Sequence, residues 1–218
     1  MGYNVAIDGP AGAGKSTIAK LVAKEKGYVY VDTGAMYRGL AVYFLEKGIA
    51  ADDAERIAEA CRDVEVTIRY EDGQQQVYLN GENITSRLRE EAVGNMASRC
   101  SAIPAVRAKL LELQQELAKT QDVIMDGRDI GTCVLPHADV KIYLTASADT
   151  RARRRYDELT AKGIACDLRE ITEDIEERDR RDSTREIAPL KQAEDAVFLD
   201  SSEMSIAEVV AVITDLCR

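Results

Sequence analysis

The sequence predicts an α/β fold: a five-stranded parallel sheet with helices on both faces, a small antiparallel β insertion and a helical lid. Three observations lead there. Five short apolar runs, Val5 to Ile7, Tyr28 to Val31, Val123 to Met125, Val140 to Leu144 and Ala196 to Leu199, have the length and composition of buried strands. Helical patterns separate nearly all of them, and strands alternating with helices make βαβ units, right-handed crossovers and hence a parallel sheet. Between the first run and the first helix lies Gly9-Pro10-Ala11-Gly12-Ala13-Gly14-Lys15-Ser16, a complete G-x-x-x-x-G-K-[ST] P-loop.

In chain order, Asn4 to Asp8 is the strand that leads into the P-loop and Lys15 to Lys26 the helix that leaves it. Ala35 to Lys47 and Asp53 to Cys61 follow the second run as helices. Ala105 to Lys119 begins just after Pro104, which suits a first helical turn because a donor there has no intrahelical partner. Ala148 to Ala161, Leu168 to Arg181 and Ile206 to Leu216 complete the set, the last opened by the capping box Ser205-Ile206-Ala207-Glu208. One region breaks the rhythm. Val64 to Tyr70 alternates with period two, Glu71-Asp72-Gly73 turns, Gln76 to Leu79 runs back and Asn80-Gly81 turns again, an antiparallel meander. It falls between the second and third core strands, so residues 63–101 are expected as an insertion within one domain spanning 1–218.

The loop places the sheet in the P-loop NTPase type and implies a bound nucleoside triphosphate. Its glycines let the backbone bend until N–H groups point inward at phosphate oxygens, and the following helix adds the positive end of its dipole. Lys15 reaches the β- and γ-phosphates, the Ser16 hydroxyl can ligate Mg²⁺, and Thr17 continues the first helical turn. Four of the five core runs end in an aspartate: Asp8, Asp32, Asp126 and Asp200. Ligands bind at such carboxyl ends. Asp200 reads best as a turn or cap residue, whereas Asp8, Asp32 and Asp126 are as readily site residues as caps.

With 218 residues, 45% of them hydrophobic, the chain can bury a sizeable core. No apolar stretch approaches the roughly 20 residues that span a bilayer, and the first strand follows the N-terminus directly, so a soluble cytoplasmic protein without a membrane partner is expected. Five scattered cysteines, with no C-x-x-C pair, point to neither a disulfide framework nor a zinc site. A formal charge of −10 argues against a nucleic-acid polymer as partner. Any anionic ligand must therefore be captured locally. Of the 29 basic residues 19 are arginine, and nine of those lie between Arg151 and Arg185, a bias that suits the paired oxygens of phosphate. The acidic residues interleaved with them also fit a solvated, salt-laced helix.

The single histidine, His137, sits in a turn away from any strand end, which disfavours a histidine relay. Phosphoryl transfer needs no such base when the acceptor is itself a phosphate, because a second pKa of about 6 leaves it mostly dianionic at neutral pH. Charge repulsion then becomes the difficulty. Arginines around acceptor and transferring group, with Mg²⁺ on the donor side, relieve it. Arg38 follows the second strand, Arg128 sits in Asp126-Gly127-Arg128-Asp129 beyond the third, and Arg178 and Arg185 flank the end of the acidic-basic helix.

From end to end the chain resembles the bacterial cytidylate kinases. The resemblance is carried by Ile7-Asp8-Gly9-Pro10 with the rest of the P-loop, Asp32-Thr33-Gly34-Ala35-Met36-Tyr37-Arg38, and Asp126-Gly127-Arg128-Asp129-Ile130-Gly131-Thr132. Val140 to Ser147, and Arg178-Asp179-Arg180-Arg181-Asp182 leading to Ile187-Ala188-Pro189-Leu190, complete it. It implies transfer of the ATP γ-phosphoryl to CMP or dCMP, with Lys15, Arg128, Arg178 and Arg185 bearing the catalytic charge; a monomer is expected. It also implies that Ser98, Arg107 and Asp129 meet the cytosine edge, Arg178 and Asp182 the ribose, and Arg38, Arg128 and Arg185 the acceptor phosphate, with Thr33 near the nucleotide. A lid over residues 148–166 would close on the triphosphate through Arg151, Arg154 and Arg155, Arg153 facing away. Ser16 stands where some members carry glycine. The alternatives are a P-loop kinase for another small acceptor, such as UMP, AMP or a polyol, and a nucleotide-dependent switch, which the missing N-K-x-D guanine signature disfavours.

Overall fold

The computed structural model describes residues 2–218. Its elements in chain order are β1 (Asn4–Asp8), α1 (Lys15–Lys26), β2 (Val29–Asp32), α2 (Thr33–Glu46), α3 (Ala54–Asp63), β3 (Val66–Glu71), β4 (Gln74–Leu79) and β5 (Glu82–Asn83). There follow α4 (Glu91–Cys100), α5 (Pro104–Thr120), β6 (Val123–Gly127), β7 (Val140–Thr145), α6 (Ala148–Ala161), α7 (Leu168–Thr184), β8 (Val197–Asp200) and α8 (Ile206–Leu216). The chain forms two compact units, one of residues 31–120 and one of residues 2–30 with 121–218.

The second of these units is built on the large sheet, whose five strands run in the order β2-β6-β1-β7-β8. β1 lies parallel to β6 and β7, and β7 parallel to β8. Successive strands therefore fall on either side of β1, which makes its carboxyl end a topological switch point, the place where an open α/β sheet leaves a crevice. The register brings the ends together: Ile7 is opposite Asp126, and Asp8 is opposite both Gly127 and Tyr143. Val5 and Ile7 are buried completely because helices cover both faces. α1 presents Ile18, Ala19 and Val22 at helical spacing, α8 presents Val209 and Ile213, and both pack with Ile124, Ile142 and Leu144 in one core. Ser205 caps α8 through the capping box that the sequence predicts. No helix among the described residues is long and apolar enough to cross a membrane.

Residues 31–120 contain the meander as a three-stranded sheet in the order β3-β4-β5, with β3 and β4 antiparallel from Val66↔Leu79 to Glu71↔Gln74. This unit is wider than the 63–101 segment, for a packing reason. α2 buries Met36, Leu40 and Phe44, and a Cβ at Gly39 would meet Val77 of β4 at 3.0 Å, so the helix lies tight against the small sheet. α4, which the sequence reading left without structure, buries Val93, Met96, Ala97 and Cys100 on one helical face.

Candidate active site

The P-loop is shaped by backbone that only glycine adopts readily. Gly9 has φ 152°, and a Cβ there would lie 1.9 Å from the Leu144 carbonyl oxygen. Gly14, at φ 86°, is the N-cap of α1 and offers no side chain to the first turn, which contains no acidic residue either. The N–H groups at the start of α1 thus stay available to an external anion. Lys15 is buried, and its Nζ donates to the carbonyls of Gly9 at 2.8 Å and Pro10 at 2.7 Å. Burial, with added repulsion from Arg128, holds its pKa well below the ordinary lysine value despite Asp126 and Asp8 nearby. A polyphosphate would supply the counter-charge that this ammonium lacks.

Beside the loop, Ser16 Oγ donates to Asp126 Oδ2 at 2.8 Å, and Tyr30 donates to the other oxygen of the same carboxylate at 2.9 Å. Asp8, at the end of β1, accepts from the backbone N–H groups of Ile130 and Gly131 at 2.8 and 2.7 Å. Burial raises its pKa to about 6, against the lowering effect of those two bonds. Asp8 thereby pins the turn that follows β6, a wide helical turn over Ile130–Val134, and so fixes where Arg128 and Asp129 stand.

Four of the predicted acceptor-side residues assemble here. Arg128 Nε donates to Asp182 Oδ2 at 2.8 Å, while Arg185 pairs with Asp129 Oδ1 at 3.2 Å and lies 3.9 Å from Asp182 Oδ1. Arg185, Asp129 and Asp182 are each only 7% exposed at the side chain, so these are buried charges held by one another. Although burial pushes the Asp182 carboxyl up, Arg128, Arg178 and Arg185 together hold it below the ordinary value. Arg178 is half-buried one turn earlier on α7 and also acts electrostatically on Lys15.

The lid arginines have different surroundings. Arg151 is buried and donates to the carbonyl of Ala11 in the P-loop at 2.9 Å. Arg154 instead donates to the Ser201 carbonyl at 2.7 Å, and Arg155 pairs at the surface with Glu158 at 2.9 Å. Arg153 is exposed, 5.8 Å from the Tyr156 ring centroid.

The remaining predicted residues belong to the unit of residues 31–120. Thr33 is buried at the start of α2, and Arg38 pairs with Asp32, the N-cap of that helix, at 3.2 Å. Asp32 is fixed in turn by two backbone bonds with the Gln75 amide. Arg107 lies 5.8 Å from the Tyr37 ring centroid. Among the described residues, Ser98 Oγ and Arg38 Nε are buried without a hydrogen-bond partner. Buried polar atoms are seldom left so. The sequence reading gives no role to Tyr30, a lone tyrosine of β2, or to Asp179, which it names only within a motif of α7.

A family model described as "Cytidylate kinase" matches residues 5–218. The chain belongs to the cytidylate kinase family. This family member is 49% identical over 213 residues to a cytidylate kinase of Caldicellulosiruptor bescii, covering 98% of this chain and 94% of the relative. It is likewise 49% identical over 215 residues to a cytidylate kinase of Streptococcus sanguinis, covering 98% and 96%. Among solved structures, a gluconokinase from Sinorhizobium meliloti superposes with a TM-score of 0.50 at 12% identity, over 98% of this chain and 90% of the other, a likeness of fold alone. Membership makes the chain a P-loop nucleoside monophosphate kinase and sets aside the switch reading.

Proposed function

We propose that this enzyme transfers the γ-phosphoryl group of ATP to CMP or dCMP, giving ADP and CDP or dCDP, and so serves pyrimidine nucleotide metabolism. The observation that carries the reading is the frame of Arg128 and Arg185 on Asp182 and Asp129, in the same unit as an intact P-loop. Two anions must approach in line, and guanidinium groups already oriented by buried carboxylates meet the developing charge without reorganising. The CMP phosphate is its own nucleophile, so no general base is required; His137 is exposed in the turn before β7.

On the donor side, Gly9 to Thr17 receive the triphosphate, with Lys15 at the transferring group. Arg154 and Arg155 belong to the lid over it, and Arg151 takes part through its bond to Ala11. Arg155 is held only by a surface pair, an interaction of about 0–1 kcal/mol that phosphate readily replaces. Mg²⁺ fits the hard oxygen donors at the loop's end: Ser16 Oγ and Asp126 Oδ2 lie 2.8 Å apart and would hold it directly or through water. When bound it neutralises phosphate charge.

For the acceptor, Asp129 takes the cytosine amino group while Ser98 and Arg107 donate to the ring acceptors. Ser98 Oγ, buried without a protein partner, supports that role. Arg178 and Asp182 bind the ribose, Arg38, Arg128 and Arg185 the phosphate, and Thr33 lies near the nucleotide. We further propose that the enzyme works as a monomer. A coupled ADP-release assay over the common nucleoside monophosphates tests the reading. CMP and dCMP should lead, and Asp129→Ala should narrow their advantage over UMP. A wild-type preference for UMP or AMP would reject it.

A further inference from the structure

Asp179 has no part in the reaction described so far, yet it is the residue of α7 that grips the P-loop. Its Oδ1 accepts from the Ala11 N–H at 3.1 Å and its Oδ2 from the Arg151 guanidinium at 2.6 Å. Arg151 closes the ring, since the same NH1 donates to the Ala11 carbonyl and Nε donates to Ala146 O, both at 2.9 Å. Ala11 is therefore held at its N–H by a carboxylate from α7 and at its C=O by a guanidinium from α6. The packing is close: a Cβ on Gly12 would come within 3.3 Å of Arg151 Cβ. Arg151 is 7% exposed and Asp179 20%, so removal of either partner strands a largely desolvated charge.

A loop with glycines at 9, 12 and 14 gains little stiffness from its own residues, because glycine samples more backbone conformations than any other residue. Lys15 ties the loop to itself at the carbonyls of Gly9 and Pro10, while Ala11 is held from outside. Asp182, three residues beyond Asp179 and so on the same side of α7, accepts from Arg128. One helix thus carries a carboxylate for the donor loop and another for an acceptor-side arginine.

We infer that Asp179 is a positioning residue for the ATP loop: together with Arg151 it clamps Ala11, so that the loop's N–H groups are already arranged for the triphosphate. A clamp of this kind raises affinity by removing the cost of ordering the loop on binding. The inference rests on the reading of ATP as donor, but not on the identity of the acceptor.

Calorimetric titration of wild type, Asp179→Asn and Asp179→Ala with the β,γ-imido analogue of ATP, with no acceptor present, tests it. The asparagine keeps the volume and the bond from Ala11 but turns an amide nitrogen or an uncharged oxygen toward Arg151. Its Kd for the analogue should rise about tenfold, the size expected for one charged hydrogen bond. KM for ATP should rise in parallel while KM for CMP stays within about twofold, and the losses of Arg151→Met and Asp179→Asn should sum to more than the loss in the double variant, because the two side chains are in contact. An unchanged Kd overturns the inference. So does an equal loss toward ATP and CMP accompanied by a fall in Tm, which marks a merely structural role, and so do fully additive losses in the double variant. Failure of CMP as substrate would sink the proposed function and leave this result standing.

Discussion

Arg128 and Asp182 stand 54 positions apart in the chain and meet through a 2.8 Å bond from Nε to Oδ2, with Arg185 on the far oxygen of the same carboxylate. The carboxylate does for the guanidinium what a substrate phosphate would otherwise have to do. It holds the fork in place and offsets its charge, leaving other N–H groups of the fork for an incoming oxyanion.

Arg128→Ala should therefore lower kcat by on the order of 10³, the scale of arginines that bear transition-state charge in phosphoryl transfer. Steady-state kinetics with CMP read the outcome. A rise in KM with kcat preserved would show that Arg128 binds the ground state and transition state equally.

Lys15→Ala should abolish transfer with the fold intact. Lys15 is a buried ammonium whose nearest partners are neutral carbonyls, so its loss removes a desolvated charge and should leave Tm unchanged or raised. Thermal unfolding by circular dichroism alongside the activity assay checks both halves. Retained transfer, or collapse of the fold, contradicts the assignment.

Asp8 gives a pH signature. Its folded pKa is raised from 3.8 to about 6 by burial, so between those values the native state holds a proton that the unfolded chain has released. Stability from this group is full below the unfolded value and is lost as pH rises through the folded one, at up to about 1.4 kcal/mol per pH unit. Compared with Asp8→Asn, the wild type should lose ground between about pH 4 and 6 and then run level. Denaturant unfolding at several pH values measures the difference. A wild type that gains on the variant across that window would contradict the buried, desolvated Asp8.

Much of this was legible in the chain. α1, α6 and α8 begin and end where periodicity places them, and Ser147 and Ser205 cap the last two by acting on neighbours only a few residues away. β1, β6 and β7 are short apolar runs with turn residues beyond, and burial on both faces leaves little else for them to be. α4 had a readable apolar face at positions 93, 96, 97 and 100, but its glycine and asparagine weakened the helical signal. Asp179 was not legible at all. On α7 it is one carboxylate in an alternating run, and only the fold sets it against Ala11, 168 positions away, while Glu177 pairs with Arg180 and Arg181 at the surface. The lid arginines show the same limit: helical spacing told which share a face, but the burial of Arg151 and the bond from Arg154 to Ser201 depend on the neighbouring segments.

The most direct measurement follows the phosphoryl group itself. Incubating the enzyme with Mg²⁺, CMP and ATP labelled with ¹⁸O in its γ-phosphate, then weighing the products by mass spectrometry, should yield ADP and CDP in equal amounts with the label in the β-phosphate of CDP. Labelled inorganic phosphate without CDP would contradict the account.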